Sequence, residues 1–277
     1  MAPFELAQPG NLHEAIALLD AEDTRALSGG TALMLMMKAG VLRPARLVSL
    51  RKLGLEGIKA DGELRIGAMT TLRALEKSEL IKNGWPALAR TLRTLSNVRV
   101  RNVATVGGAL AHADPHMDLP PLLSALGARV TIDGKAGGRT VAVEELYAGY
   151  LESTLARGEL ITALEVPPLG KRRAAYLKCT TRAADDWPAL GIAVVSDFED
   201  DIRIFVSAAT DRPTRLKAAE AVLKGSSYEQ NLVKRAAEAA VDEVRIESDM
   251  HGSAEYKKQL LRVYLARAIH EARSAVH

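Results

Sequence analysis

The chain has 277 residues, 48% hydrophobic and 26% charged, and its 37 basic and 34 acidic side chains leave a formal net charge of +3. That near balance, without a dense Lys/Arg stripe, argues against nucleic-acid binding, and no apolar run approaches the roughly 18 residues of an integral membrane segment. The single cysteine, Cys179, excludes an internal disulfide and any four-cysteine zinc or iron–sulfur site built from this chain alone.

At this length one core normally stops growing, so two domains are expected. The start "MAPFELAQPGNLHEA" lacks a basic, apolar secretory signal, which points to a reducing cytoplasm. "NLHEAIALLDAE" offers Asn11 as a helix N-cap with Glu14 three residues on, and Leu12, Ala15, Ile16 and Leu19 share one face. "TRALSGG" then reads as a short strand ending in glycines, "TALMLMMKAG" as a helix ending at Gly40, and "ARLVSL" as a strand. Asp61 and Gly62 between two alternating runs give a hairpin. Two helices, "TTLRALEKSELI" and "WPALARTLRTLS", precede a second glycine pair.

Beyond it, "LLSALGARVTID" reads as helix to strand and "ELITALEVP" as a strand, until Pro167, Pro168 and Gly170 break the pattern. The domain boundary is placed there. "AAYLKCTT", "ALGIAVVSDF" and "DIRIFVSAAT" follow as strands and three helical segments close the chain, an antiparallel sheet backed by a helix layer.

The chemistry-bearing signal is the pair of glycine turns, "SGGT" from Ser28 and "TVGG" from Thr105, each read as closing a short strand. Glycine tolerates positive φ and has no Cβ, so consecutive amides can converge on phosphate oxygens while a threonine hydroxyl adds a donor. Two such loops suit a diphosphate. Read singly, each pair is only a tight turn. Neither G-x-G-x-x-G nor a P-loop is present, which counts against a Rossmann dinucleotide site and a Walker nucleotide site. His112, His116 and Asp118 invite a metal reading, but Pro115 interrupts any shared helical face, so they are read as loop residues with no metal. Met34, Met36 and Met37 are read as helix packing, and His13, His251 and His270 form no constellation.

With these motifs on the page, the chain resembles, over essentially its whole length, the flavin subunit of the molybdenum hydroxylases, the family of xanthine dehydrogenase and aerobic carbon monoxide dehydrogenase. The family's "AGGT/S" and "T-V/I-GGN" turns stand here as "LSGGTALMLMMK" and "ATVGGALAHADPHMDLPPLLSALGA". "AAYLKCTTRAADDWPAL" is similar to its aromatic-x-Lys stretch with an acidic loop, and "DMHGSAEYKKQLLRVYLARAI" to its C-terminal "G-S-A-x-Y-R" helix. The resemblance implies an α+β protein: an N-terminal FAD-binding α/β domain of the PCMH (vanillyl-alcohol-oxidase-like) type over 1–168, with subdomains of about 1–55 and 56–168, and a C-terminal domain over 169–277.

By the same resemblance Ser28, Gly29, Gly30, Thr31 and Ala32 form the first FAD loop and Thr105, Val106, Gly107, Gly108 and Ala109 the second, both facing the diphosphate. Asp118 meets a sugar hydroxyl of the cofactor; read locally, it is a helix N-cap. Lys178 matches a lysine near the flavin, where its charge stabilises the reduced ring; read locally, it is a solvated strand lysine. Trp187 matches the side chain placed against the isoalloxazine face, and Ile161 touches the cofactor through its backbone. Ala109 departs from the family, whose usual residue there is asparagine.

The implied function is an FAD-carrying electron-transfer subunit with no acid–base pair of its own. Electrons come from two 2Fe–2S clusters on a small partner subunit, a large partner subunit carries the molybdenum cofactor, and NAD+ or a quinone receives them. The expected assembly is a dimer of heterotrimers in the cytoplasm or at the inner face of the membrane. The alternatives are a scaffold subunit with impaired flavin binding, for which Ala109 is the support, and a stand-alone flavin oxidoreductase.

Overall fold

Asn11 caps the first helix as its spacing requires: its carboxamide accepts the Glu14 N–H at 2.9 Å, and the Glu14 carboxylate accepts the Gly10 N–H at the same distance. The helix, α1 (Leu12–Leu19), buries Ala15, Ile16 and Leu19. They pack on a three-stranded parallel sheet in which β3 (Arg46–Ser49) lies between β1 (Glu5–Ala7) and β2 (Thr24–Leu27). A short helix, α2 (Leu33–Lys38), connects β2 to β3; of its methionines only Met37 is buried, and Leu35 is 65% exposed. The computed structural model describes residues 2–275.

Gly62, at φ +74°, turns β4 (Ile58–Asp61) into β5 (Glu63–Gly67). Six helices follow: α3 (Leu72–Lys77), α4 (Glu79–Gly84), α5 (Pro86–Thr94), α6 (Val98–Arg101), α7 (Val106–His112) and α8 (Leu119–Leu126). The segment read as one helix over 70–81 is split at Ser78, whose extended backbone ends α3 and starts α4. Strands β6 (Arg129–Gly134) and β7 (Gly137–Ala142) come next, then a small hairpin, β8 (Tyr147–Gly149) and β9 (Glu152–Ser153), and β10 (Leu160–Val166). The antiparallel sheet they complete has the order β4-β5-β10-β6-β7. Its β10 slips register between Ile161 and Ala163, a bulge that leaves Thr162 unmatched.

The C-terminal sheet is antiparallel in the order β11 (Arg173–Cys179), β12 (Leu190–Ser196), β13 (Ile202–Ser207), β14 (Thr214–Arg215), and α9 (Lys217–Leu223), α10 (Gln230–Glu243) and α11 (Ala254–Ser274) cover one face, as expected. All seven residues of β12 are buried because the opposite face is covered as well. Strand alternation divides them: Ile192 and Val194 join the helix-side core, whereas Ala193 and Val195 join the core of the N-terminal domain. The element filling that second interface is α8, all eight residues of which are buried. Among the described residues no helix is long and apolar enough to cross a membrane.

Because α8 packs on both domains, Leu123→Ala is expected to lower stability by about 2–5 kcal/mol, read by urea unfolding of the full chain. A loss under about 1 kcal/mol would show that the site collapses without leaving a cavity.

Candidate functional site

The two glycine turns pack directly on each other. A Cβ on Gly29 would fall 2.2 Å from the Val103 carbonyl oxygen and 2.9 Å from the Ala104 Cα, backbone atoms just ahead of the second turn. A Cβ on Gly108 would sit 2.5 Å from the Ser28 hydroxyl oxygen, and one on Gly107 2.7 Å from the Ala68 Cβ. A side chain at Gly29 would force the loops apart, because what it meets is backbone, whereas at Gly108 the Ser28 hydroxyl would have to rotate away. Gly30, at φ +73°, takes the left-handed conformation that lets the chain turn into α2.

The turns differ in what their amides do. The second follows no strand: "VRVR" forms α6, capped by the Asn97 side chain, and Thr105 is the N-cap of α7, with Gly107 and Gly108 inside its first turn. The alternating β-branched pattern is overridden because Asn97 accepts the Val100 N–H, while Arg101 donates to Glu76 and to the Leu95 carbonyl. Its amides are already engaged. Val106 N–H donates to the Thr70 carbonyl at 3.0 Å and Gly107 N–H to that of Ala68 at 2.9 Å. Gly108 N–H donates to Thr105 Oγ1 at 3.2 Å and Ala109 N–H to the Thr105 carbonyl at 2.9 Å. The reading of this loop as a bare amide nest is therefore corrected. In the first turn, by contrast, the amides of Gly29, Gly30, Thr31 and Ala32 find no acceptor among the described residues. Four successive half-buried residues thus carry unpaired donors in the turn that also holds the Ser28 and Thr31 hydroxyls, the kind of donor set that can bind an anion.

An open cleft of about 230 Å³ lies between the 54–57 turn and strands β5 and β10, with Lys59, Arg65 and Thr162 on its walls. It adjoins the second loop through Ala68, whose N–H donates to the Thr162 carbonyl and whose own carbonyl receives Gly107. Thr162 and Ala163 line it, whereas the Ile161 side chain turns into the core.

Asp118 and Lys178 meet each other across the domain junction. Lys178 Nζ donates to Asp118 Oδ2 at 2.9 Å and to the Thr94 carbonyl at 3.0 Å, and Tyr176 donates to Asp118 Oδ1 at 2.8 Å. The side chains of the pair are 8% and 6% exposed. Lys178 is thus no solvated strand lysine, and Asp118, although it precedes α8, caps nothing with its side chain. Burial raises the Asp118 carboxyl above its ordinary value, opposed by the Lys178 charge and both hydrogen bonds. Burial also raises the Tyr176 hydroxyl, and the neighbouring carboxylate adds to the effect.

Trp187, in the loop between β11 and β12, is 51% exposed, so it is no core residue. Its ring stacks on His116 with centroids 5.4 Å apart and planes at 29°. His116 Nδ1 lies 2.9 Å from Asp114 Oδ1 and Nε2 3.2 Å from Asp249 Oδ2. Both ring nitrogens are taken, and among the described residues no group of three or more His, Cys, Asp or Glu is arranged to hold a metal. His251, read as belonging to no constellation, lies tilted against His116 at 5.1 Å. Lys257, 1% exposed, completes the cluster by donating to Asp249 at 2.6 Å. Sequence reasoning missed Tyr176, Asp114, Asp249 and Lys257. For Asp114 and Asp249 the signal was the density of charge in "ADPHMD" and "SDMHGS", which does not say what pairs with what.

Two family models divide the chain: "FAD binding domain in molybdopterin dehydrogenase" matches residues 2–169, and "CO dehydrogenase flavoprotein C-terminal domain" matches residues 175–272. The carbon monoxide dehydrogenase medium chain of Afipia carboxidovorans is 33% identical over 281 residues, covering 98% of this chain and 97% of the relative. The glyceraldehyde dehydrogenase medium chain of Sulfolobus acidocaldarius is 30% identical over 274 residues, covering 97% and 98%. The solved carbon monoxide dehydrogenase from Hydrogenophaga pseudoflava, in a form lacking the Mo-pyranopterin moiety, superposes with a TM-score of 0.94 at 32% identity and covers 99% of both chains.

Gly29→Ala is expected to cost roughly 1–3 kcal/mol or more, because the added methyl group meets backbone that cannot swing away. Gly10→Ala, with nothing within 4 Å of its Cβ, serves as the control. Equal melting temperatures for the two variants would contradict the packing described.

Proposed function

We propose, on the premise that the chain belongs to the FAD-binding subunit family of the molybdenum hydroxylases, that its first glycine turn grips the FAD diphosphate and the two domains close over the rest of the cofactor. The protein is a flavoprotein oxidoreductase subunit, and FAD is the cofactor of this chain. The residues present fit that group: a run of unpaired amides at residues 29–32, with the Ser28 and Thr31 hydroxyls in the same turn, is braced where Gly29 packs on the Val103 backbone. FAD takes up and releases electrons singly or in pairs, and so joins one-electron donors to two-electron acceptors.

In this reading the Gly29, Gly30, Thr31 and Ala32 amides donate to the diphosphate oxygens, and the Ser28 and Thr31 hydroxyls add donors. Thr105, Val106, Gly107, Gly108 and Ala109 form the wall that holds the first turn in place, their own amides being spent on the fold. The cleft beside Thr162 receives one end of the cofactor, with the Ile161 backbone on its margin. Asp118 accepts a sugar hydroxyl while the Lys178 charge opposes the effect of burial on it, and the same ammonium adds positive charge near the ring system. Trp187 offers an aromatic face for offset stacking.

The partners proposed are a large molybdenum-cofactor subunit and a small subunit with two 2Fe–2S clusters, in a dimer of heterotrimers that passes electrons to NAD+ or a quinone. The "medium chain" relatives support a multi-subunit assembly, and the single cysteine requires that iron–sulfur centres come from another chain. The boundary is proposed at 168/169, with the first domain split near residue 55, and the allocation of strands to the three larger sheets supports it.

The carrying observation is the set of free amides at residues 29–32. Full-length chain titrated with FAD is expected to quench flavin fluorescence and retain about one FAD per chain after gel filtration. Absence of quenching in both the isolated chain and the assembled complex would overturn the proposal in favour of a scaffold subunit.

A further inference from the structure

Trp187 has little to hold it. It lies outside every sheet and helix, is half exposed, and among the described residues its indole N–H finds no acceptor. The aromatic ring stacked on it is that of His116. His116 is itself over-determined. It sits between α7 and α8 in the N-terminal domain, with its N–H bonded to Asp114 Oδ1 at 2.8 Å and its ring to the same oxygen at 2.9 Å. The other ring nitrogen reaches Asp249, in the turn ahead of α11 in the C-terminal domain. One residue earlier, the Pro115 carbonyl accepts the Ala208 N–H at 2.9 Å, which ties the same loop to the C-terminal sheet.

We propose that His116 is a positioning residue for the aromatic cover of the cofactor site: bridged between Asp114 and Asp249 of opposite domains, it fixes the plane of the Trp187 ring across the domain junction. The proposal rests on the reading of Trp187 as a flavin contact. A carboxylate can only accept, so two carboxylates on one imidazole require both ring nitrogens to carry protons. The bridge therefore exists as an imidazolium, lying against the indole face in the arrangement that favours a cation on an aromatic ring.

The surrounding charges agree. Asp114 and Asp249 are the carboxylates acting on His116. Lys257 reaches it only through Asp249, His251 stands tilted beside it, and His112 lies on the far side of Asp114. The Trp187 loop adds Asp185 and Asp186, the latter paired with Arg182 at 3.1 Å. Burial disfavours the imidazolium, but the two carboxylates outweigh it and raise His116 from the ordinary histidine value. With a raised folded value, the bridge is complete below the ordinary histidine pKa of about 6.5 and is lost as pH rises through the folded value.

The test uses the tryptophan emission of the full chain. Trp85 is buried and its indole donates to the Pro167 carbonyl at 2.8 Å, so the acrylamide-accessible emission reports Trp187. In the flavin-free chain that emission is expected to rise as pH passes a midpoint above 6.5, and the titration should vanish in His116→Phe and His116→Gln while persisting in His251→Asn. In the FAD-loaded chain the flavin absorption band should shift with the same midpoint and lose that shift in both His116 variants. Circular dichroism identifies whichever variant keeps the fold. A missing emission titration, or one that survives in a folded His116 variant, overturns the proposal at His116. An emission titration that leaves the flavin band unmoved overturns it at the Trp187–flavin contact, that is, on the site reading.

Discussion

The close approach of two backbones is the constraint on which the site depends. Gly29 lies so near the Val103 carbonyl that its position has no room for a methyl group, and Gly108 packs against the Ser28 side chain. The contact brings the end of the small parallel sheet onto the start of α7, two parts of the chain that share no strand pairing. The rigid member is the second turn, whose amides are tied to Ala68, Thr70 and Thr105. The open member is the first turn, braced from behind and left with its donors unspent. In the proposed reading the two glycine pairs divide the work of a ligand cradle, one as support and one as grip.

Charged contacts cross the domain junction twice. Lys178 and Tyr176, both on β11, meet Asp118 at the head of α8. Leaving either charge alone at such a depth costs about 3–5 kcal/mol, so this pair acts more as a register pin than as a source of net stability. His116 and Asp249 make the second crossing at the rim. The all-buried helix α8 lies beneath both, so apolar packing sets the distance between the domains and the charged groups set their alignment.

Features whose causes are local were legible in the sequence. The Asn11 cap, the Asp61–Gly62 hairpin and the three long C-terminal strands follow from side-chain-to-backbone bonds, turn chemistry and short runs rich in apolar and β-branched residues. The "VRVR" segment misled because Arg101 and Asn97 decide its conformation through partners the pattern does not contain. The glycine pairs were visible as a candidate cradle, but which pair keeps free amides depends on acceptors some 40 residues away, at Ala68 and Thr70. His116 and Asp249 are 133 residues apart, and no spacing rule joins them.

Amide hydrogen exchange, compared between the flavin-free and FAD-loaded full chain, tests the division of work between the turns most directly. The account predicts that Val106, Gly107, Gly108 and Ala109 are protected in both states, while Gly29, Gly30, Thr31 and Ala32 exchange freely without FAD and become protected with it. Unchanged exchange at Gly29–Ala32 on loading, with new protection at Val106–Ala109 instead, would contradict it.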